Sequence, residues 1–188
     1  MKTKNLLLVL LAVCVFSACS KDEEGGALFK EPCTQWGARK SIVKSYMKGS
    51  VLVDDMDEDY MCFTDAGIHN FVPYVLTYDY EFDVEIVYDH VNMTSYEVNN
   101  GLEESAVFLV APSKKQMKNL EDDFVSFFKE KYNEVPLSSL PGDYFEEDDD
   151  DVDEEILCAF VNDERTVYVV VGVVDELYTL AASYSCEF

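Results

Sequence analysis

Apolar and polar positions repeat along the chain in two periods, and each change of period marks an element. Residues 34–48 carry helical spacing: Trp36, Val43 and Met47 fall on one stripe, Ile42 and Tyr46 widen it, and Lys40, Lys44 and Lys48 take the other side. Gly49 follows as a stop. A short strand is predicted at residues 60–63 and longer ones at 72–80 and 83–88, the last from the alternation of Phe82, Val84, Ile86 and Tyr88. Asn99-Asn100-Gly101 then reads as a hairpin turn, because Asn-Gly tolerates the positive φ such turns demand, with residues 106–110 as the returning strand. Ser113 is a suitable N-cap for a second helix, whose stripe is Met117, Leu120, Phe124 and Phe128 and whose end lies near Tyr132. Pro136 and Pro141 punctuate the loop beyond. Residues 156–161, 166–174 and 177–184 read as three antiparallel strands, joined through residues 162–165 and Asp175-Glu176. In the middle strand Val167, Val169 and Val171 alternate with Tyr168 and Val170, which predicts cover on both faces.

Helix followed by strands thus occurs twice. The pattern predicts an α+β fold of two α-β-β-β units, with an antiparallel sheet and the helices packed on one face. It forms a single domain over residues 31–188, with approximate halves 31–111 and 112–188. The halves share no residue-level repeat.

The first 30 residues stand outside this pattern. Lys2 and Lys4 precede an apolar run of eleven residues from Leu6 to Phe16, too short to span a bilayer as a helix. Small residues and a cysteine follow. Phe16-Ser17-Ala18-Cys19 resembles the lipobox of bacterial lipoproteins. That resemblance implies a signal peptide over residues 1–18 and lipidation of Cys19, which holds the protein on a membrane through several acyl chains; a single chain holds only marginally. Residues 19–30 then form an acidic flexible tether with Gly25 and Gly26. Lys21-Asp22-Glu23-Glu24 resembles the surface-export signal of Bacteroidetes lipoproteins, which implies the outer membrane with the domain facing the cell exterior. Trp36-Gly37, Val43-Lys44 and Met47 are similar to the first helix of a set of Bacteroidetes lipoproteins of unknown function, and residues 120–132 and 166–184 to their later helix and terminal strands. The fold so implied is a two-layer sandwich of the β-lactamase-inhibitor-protein type, without catalytic residues to carry over.

Charge narrows the partners. Removal of Lys2 and Lys4 with the signal leaves 12 basic against 38 acidic residues, a formal charge of −26. A nucleic acid needs a basic footprint and is excluded as a partner. Anionic lipid headgroups repel such a domain, while cationic partners and divalent cations remain compatible with it. A hydrophobic content of 48% with 13% aromatics is ample for a packed core. Residues 146–155 hold nine acids in ten and read as a solvated loop.

Four cysteines lie beyond the anchor. In an exported chain Cys33, Cys62, Cys158 and Cys186 suggest at least one disulfide, with three connectivities open, and free buried thiols are the alternative. Asp55, Asp57 and Asp59 have the alternate spacing of a calcium loop, but Tyr60 and Ala66 occupy the positions where an EF-hand needs Gly and Glu. Weak calcium binding there, or at Asp148, Asp149, Asp150 and Asp151, competes with plain solvation. No cofactor is expected otherwise. His69, placed in a turn, and His90 lack local partners for metal or nucleophilic chemistry. Trp36 reads as core rather than as a sugar platform. The chain has no phosphate loop, nucleophile elbow or HExxH. The reading is a non-enzymatic surface lipoprotein that binds a protein or small ligand; a periplasm-facing accessory subunit of an envelope complex and a hydrolase are the second and third alternatives.

Overall fold

The computed structural model of the chain describes residues 28–89, 92–141, 154–174 and 177–187. The signal, Cys19, most of the acidic run with Asp148, Asp149, Asp150 and Asp151, and His90 lie outside them. In chain order the elements are α1 (Lys40–Tyr46), β1 (Val51–Asp54), β2 (Tyr60–His69), β3 (Val72–Asp89), β4 (Thr94–Val110), α2 (Lys114–Lys131), β5 (Asn133–Val135), a 3₁₀ turn (Leu137–Ser139), β6 (Glu154–Val161), β7 (Tyr168–Val174) and β8 (Thr179–Ser185). The eight strands form one antiparallel sheet in the order β1-β2-β3-β4-β8-β7-β6-β5. The class is α+β. Each helix is followed by four strands, where three were expected.

Register sorts the side chains into faces. Met61 and Phe63 of β2 lie opposite Tyr80 and Tyr78 of β3. Tyr78 and Leu76 oppose Val107 and Leu109 of β4, which oppose Ala182 and Leu180 of β8. All are buried and belong to one core with Val43 and Met47 of α1 and Met117, Leu120, Phe124 and Phe128 of α2. Phe128 stacks on Phe160 of β6, ring centroids 5.8 Å apart. Residues 28–33 cross the core too. Leu28 and Phe29 are buried, Phe29 against Phe124 and Phe127, so two residues read as tether are core. In β7 Val169, Val171, Val173 and the last residue, Val174, are buried, and Tyr168, Val170 and Gly172 are half-buried.

Several boundaries differ from the pattern for identifiable reasons. The first helix begins at Lys40, not Thr34. Gly37 N–H donates to Leu102 O (2.9 Å) and Leu102 N–H to Ala38 O (2.9 Å), which commits residues 37–38 to pairing with β4. Trp36 therefore lies off the helix, half-buried, its Nε1 donating to Thr166 O at 2.6 Å. Ile42 and Tyr46 are exposed, because the short helix buries only a narrow stripe. Asn99-Asn100-Gly101 is no turn. It lies inside β4, where the register shifts between Asp83 and Val84, and the positive φ of Gly101 (103°) serves a bulge. A Cβ on Gly101 would lie 2.2 Å from Gly37 O, so the residue also admits the neighbouring backbone. His69 ends β2, and the β2–β3 turn is Asn70-Phe71. Glu154 and Glu155, read as part of the acidic loop, begin β6. The second helix keeps its predicted cap: the Ser113 side chain accepts from Gln116 N–H.

The expected disulfide is not formed. Cys33, Cys62 and Cys158 are buried free thiols and Cys186 is an exposed one. Cys62 on β2 and Cys158 on β6 are five strand spacings apart in the sheet order, roughly 24 Å and far beyond bridging distance. Cys33 lies on the core side, where its N–H donates to Tyr80 Oη, while Cys62 is paired with Asp79 on the other face.

Candidate docking surface at the base of the β3–β4 arm

β3 and β4 outrun their neighbours. β2 pairs with β3 only as far as Tyr60 opposite Glu81, and β8 pairs with β4 only as far as Tyr184 opposite Ser105. Beyond Glu81 and Glu104 the two strands continue as a two-stranded arm, paired to Asp89 opposite Thr94. Ile86 and Met93 on it are 70% and 74% exposed.

Two bulges sit where the arm leaves the sheet. Glu81 opposes Glu104 but Phe82 opposes Leu102, so Glu103 is the extra residue. Asn99 Oδ1 accepts from Gly101 N–H at 2.9 Å, and Asn100 Nδ2 donates to Asp83 Oδ2 at 2.8 Å, fixing the second bulge. The first bulge turns Glu103 toward the end of β2. Asp59, Tyr60, Glu81, Phe82 and Glu103 line a groove of about 230 Å³ there. That is below the few hundred Å³ of a drug-sized site. Its size suits one side chain or a small ionic group.

The electrostatics are one-sided. Burial raises the Glu81 carboxyl above its ordinary range, and the charges of Asp79, Asp59 and Glu103 raise it further. Glu104 is raised by burial and then by Glu81 and Glu103. Asp79, two residues further into the sheet, is raised by burial against the hydrogen bonds it accepts from Cys62 and Tyr60, and its Oδ1 has no partner. Among the described residues, none of Asp59, Asp79, Glu81, Glu103 and Glu104 is ion-paired to a lysine or arginine. The nearby cation is engaged by backbone oxygens rather than by these carboxylates: Lys40 donates to Tyr60 O at 2.9 Å and to Asp57 O, and lies over the Phe82 ring.

The structure disperses the calcium triad. Asp55 is bound by Lys44 and Lys40, which hold its carboxyl below the ordinary range. Asp57 offers its backbone oxygen to Lys40, and Asp59 alone reaches the groove. Among the described residues no group of three or more His, Cys, Asp or Glu side chains is placed to hold a metal. His69 Nε2 lies 2.9 Å from Asp123 Oδ2, in a contact that pins a turn. Burial raises the Cys62 thiol and pushes Cys158 up to about 11, so neither supplies a ready thiolate. No helix among the described residues is long and apolar enough to cross a membrane.

Sequence reasoning reached Asp59 for a different role and missed Glu81, Glu103 and Glu104. Nothing distinguishes these three among 38 acids until the bulges and strand ends are known. No protein-family model, curated protein or solved structure matches the chain.

Proposed function

We propose that the chain is a lipid-anchored, surface-exposed envelope protein whose domain is a non-enzymatic binding module, docking a cationic side chain of a protein partner in the groove at the base of the β3–β4 arm. The observation that carries this is a cluster of carboxylates at the arm base, none of them ion-paired to a lysine or arginine among the described residues. Glu81 and Glu104 face each other across the bulge with raised pKa values, and a lysine or arginine from outside would relieve that repulsion. The small volume of the groove favours a side chain over a free organic ligand. Anchorage follows from the lipobox-like Phe16-Ser17-Ala18-Cys19, and exterior display from Lys21-Asp22-Glu23-Glu24. The finer architecture belongs to the same proposal: two helix-and-strand units joined through β4 and β8, both helices on one sheet face, as in the lipoproteins that the Trp36-Gly37 helix resembles. The shared core of Val43, Met47, Phe124 and Phe128 supports it.

Calorimetric titration of the domain with a pentalysine peptide tests the site. Glu81→Gln with Glu104→Gln should weaken binding by about fivefold, or 1 kcal/mol, whereas the surface pair Glu130→Gln with Glu164→Gln should change it by less than about twofold. Equal losses from both pairs would mean that the peptide responds only to net charge. Protease treatment of intact cells tests display: a domain resistant to shaving contradicts exterior exposure.

A further inference from the structure

The end of the sheet opposite the arm carries an unusual turn. β2 and β3 are joined by Asn70-Phe71, both at positive φ (49° and 65°), between the closing pair His69 and Val72. This is the primed-turn geometry in which glycine is favoured at the second position. Here that position holds phenylalanine, 98% exposed. Ile68, 54% exposed, and its register partner Pro73, also exposed, continue the apolar surface. The turn is held in place: His69 Nε2 and Asn70 Nδ2 both contact Asp123 Oδ2 on α2, at 2.9 and 3.2 Å. Folding gains nothing from a fully exposed ring in a strained conformation, so the position points to an external contact.

The chain enters the fold at this same end. Tyr74 Oη donates to Leu28 O and Cys33 N–H donates to Tyr80 Oη, so residues 28–33 run alongside β3 in the direction leading away from the turn. Tyr74, whose Oη holds Leu28 O, lies three residues from Phe71, about 10 Å along β3. Only eight residues separate Leu28 from Cys19, a reach of at most about 30 Å.

We propose that the Ile68-Phe71-Pro73 tip dips into the bilayer on which Cys19 is anchored, so that the domain stands on the membrane at two points. The proposal rests on the anchorage proposed above. An aromatic ring with apolar neighbours suits the headgroup boundary, and Asp123 beside it shares its charge with His69 and Asn70. With the tip at the membrane, β3 carries the arm and its acidic groove outward.

The test uses the full, lipidated chain in phosphatidylcholine vesicles whose acyl chains are brominated near the headgroup. Phe71→Trp leaves the core untouched, since the position is fully exposed. Its added emission should be blue-shifted and quenched roughly twofold relative to unbrominated vesicles, while Ile86→Trp on the arm should be unaffected. A chain that floats with the vesicles but shows no quenching at position 71 overturns the proposal and leaves the anchorage intact. A blue shift without quenching means that a protein surface or a second copy covers the tip, and likewise overturns it. A chain that does not float removes the anchorage, and the proposal with it.

Discussion

Gly101 is fixed from two sides, by a left-handed backbone conformation and by the peptide of Gly37 packed against its Cα. Asn-Gly signalled positive φ, and Gly101 has it, at 103°. What the sequence could not display is that Gly37, 64 positions earlier, lies against it. A Cβ at 101 would meet Gly37 O at 2.2 Å and Gly37 C at 2.3 Å, backbone atoms with no rotamer to escape into. Gly101→Ala should therefore destabilise the domain by about 3 kcal/mol, combining overpacking with a left-handed penalty. Urea unfolding checks this, and a loss under about 1 kcal/mol would mean that residues 37–38 simply lift away. The cysteines make the converse point. An even count in an exported chain suggested pairing, but pairing depends on strand order, which local pattern does not encode.

Elements whose stripe is long and capped locally were legible. The helix α2 was predicted with its cap, its four buried residues and its end, because all of that information lies within residues 113–132. Ser113→Ala should cost about 0.5–1 kcal/mol, the low end for a cap whose bond to Gln116 N–H is 3.4 Å long. Thermal melting measures it; an unchanged midpoint would assign the cap to packing alone. The helix α1 was overextended, because a docked backbone at residues 37–38 overrides helical spacing at Trp36. β3 was read as two strands for a related reason: the bulges beside Glu81 and Asp83 break the alternation without breaking the strand. Burial of carboxylates gives the arm base a pH dependence. Glu81, Glu104 and Asp79 all have folded pKa values raised by burial. From the ordinary carboxylate range up to those values the folded state holds more protons than the unfolded, so stability falls as pH rises through the window. Glu81→Gln with Glu104→Gln should flatten that slope and raise stability at neutral pH by about 0.5 kcal/mol, discounted because both groups are half exposed. Denaturant midpoints from about pH 4 to pH 8 test it, and a slope identical to the unaltered protein would remove the arm base as its source.

At the scale of the molecule, class was legible and topology was not. The two periods announced α+β, but the joining of β4 to β8 at the centre of one sheet follows from burial shared between distant strands. Charge was legible as a total and not as a distribution. The acids form an unmatched cluster at the arm base, while the opposite end presents Ile68, Phe71 and Pro73 beside the entry of the chain. This polarity gives the proposal its shape: an apolar end toward a membrane, an acidic end toward a partner. Both depend on Cys19 being the point of attachment. The most direct measurement is mass spectrometry of the N-terminal peptide of the protein taken from the membrane fraction. The expected result is a chain beginning at Cys19 and carrying a diacylglycerol with a further acyl group, and no such adduct in Cys19→Ala. A mature protein with an unmodified N-terminus at another residue would contradict attachment at Cys19.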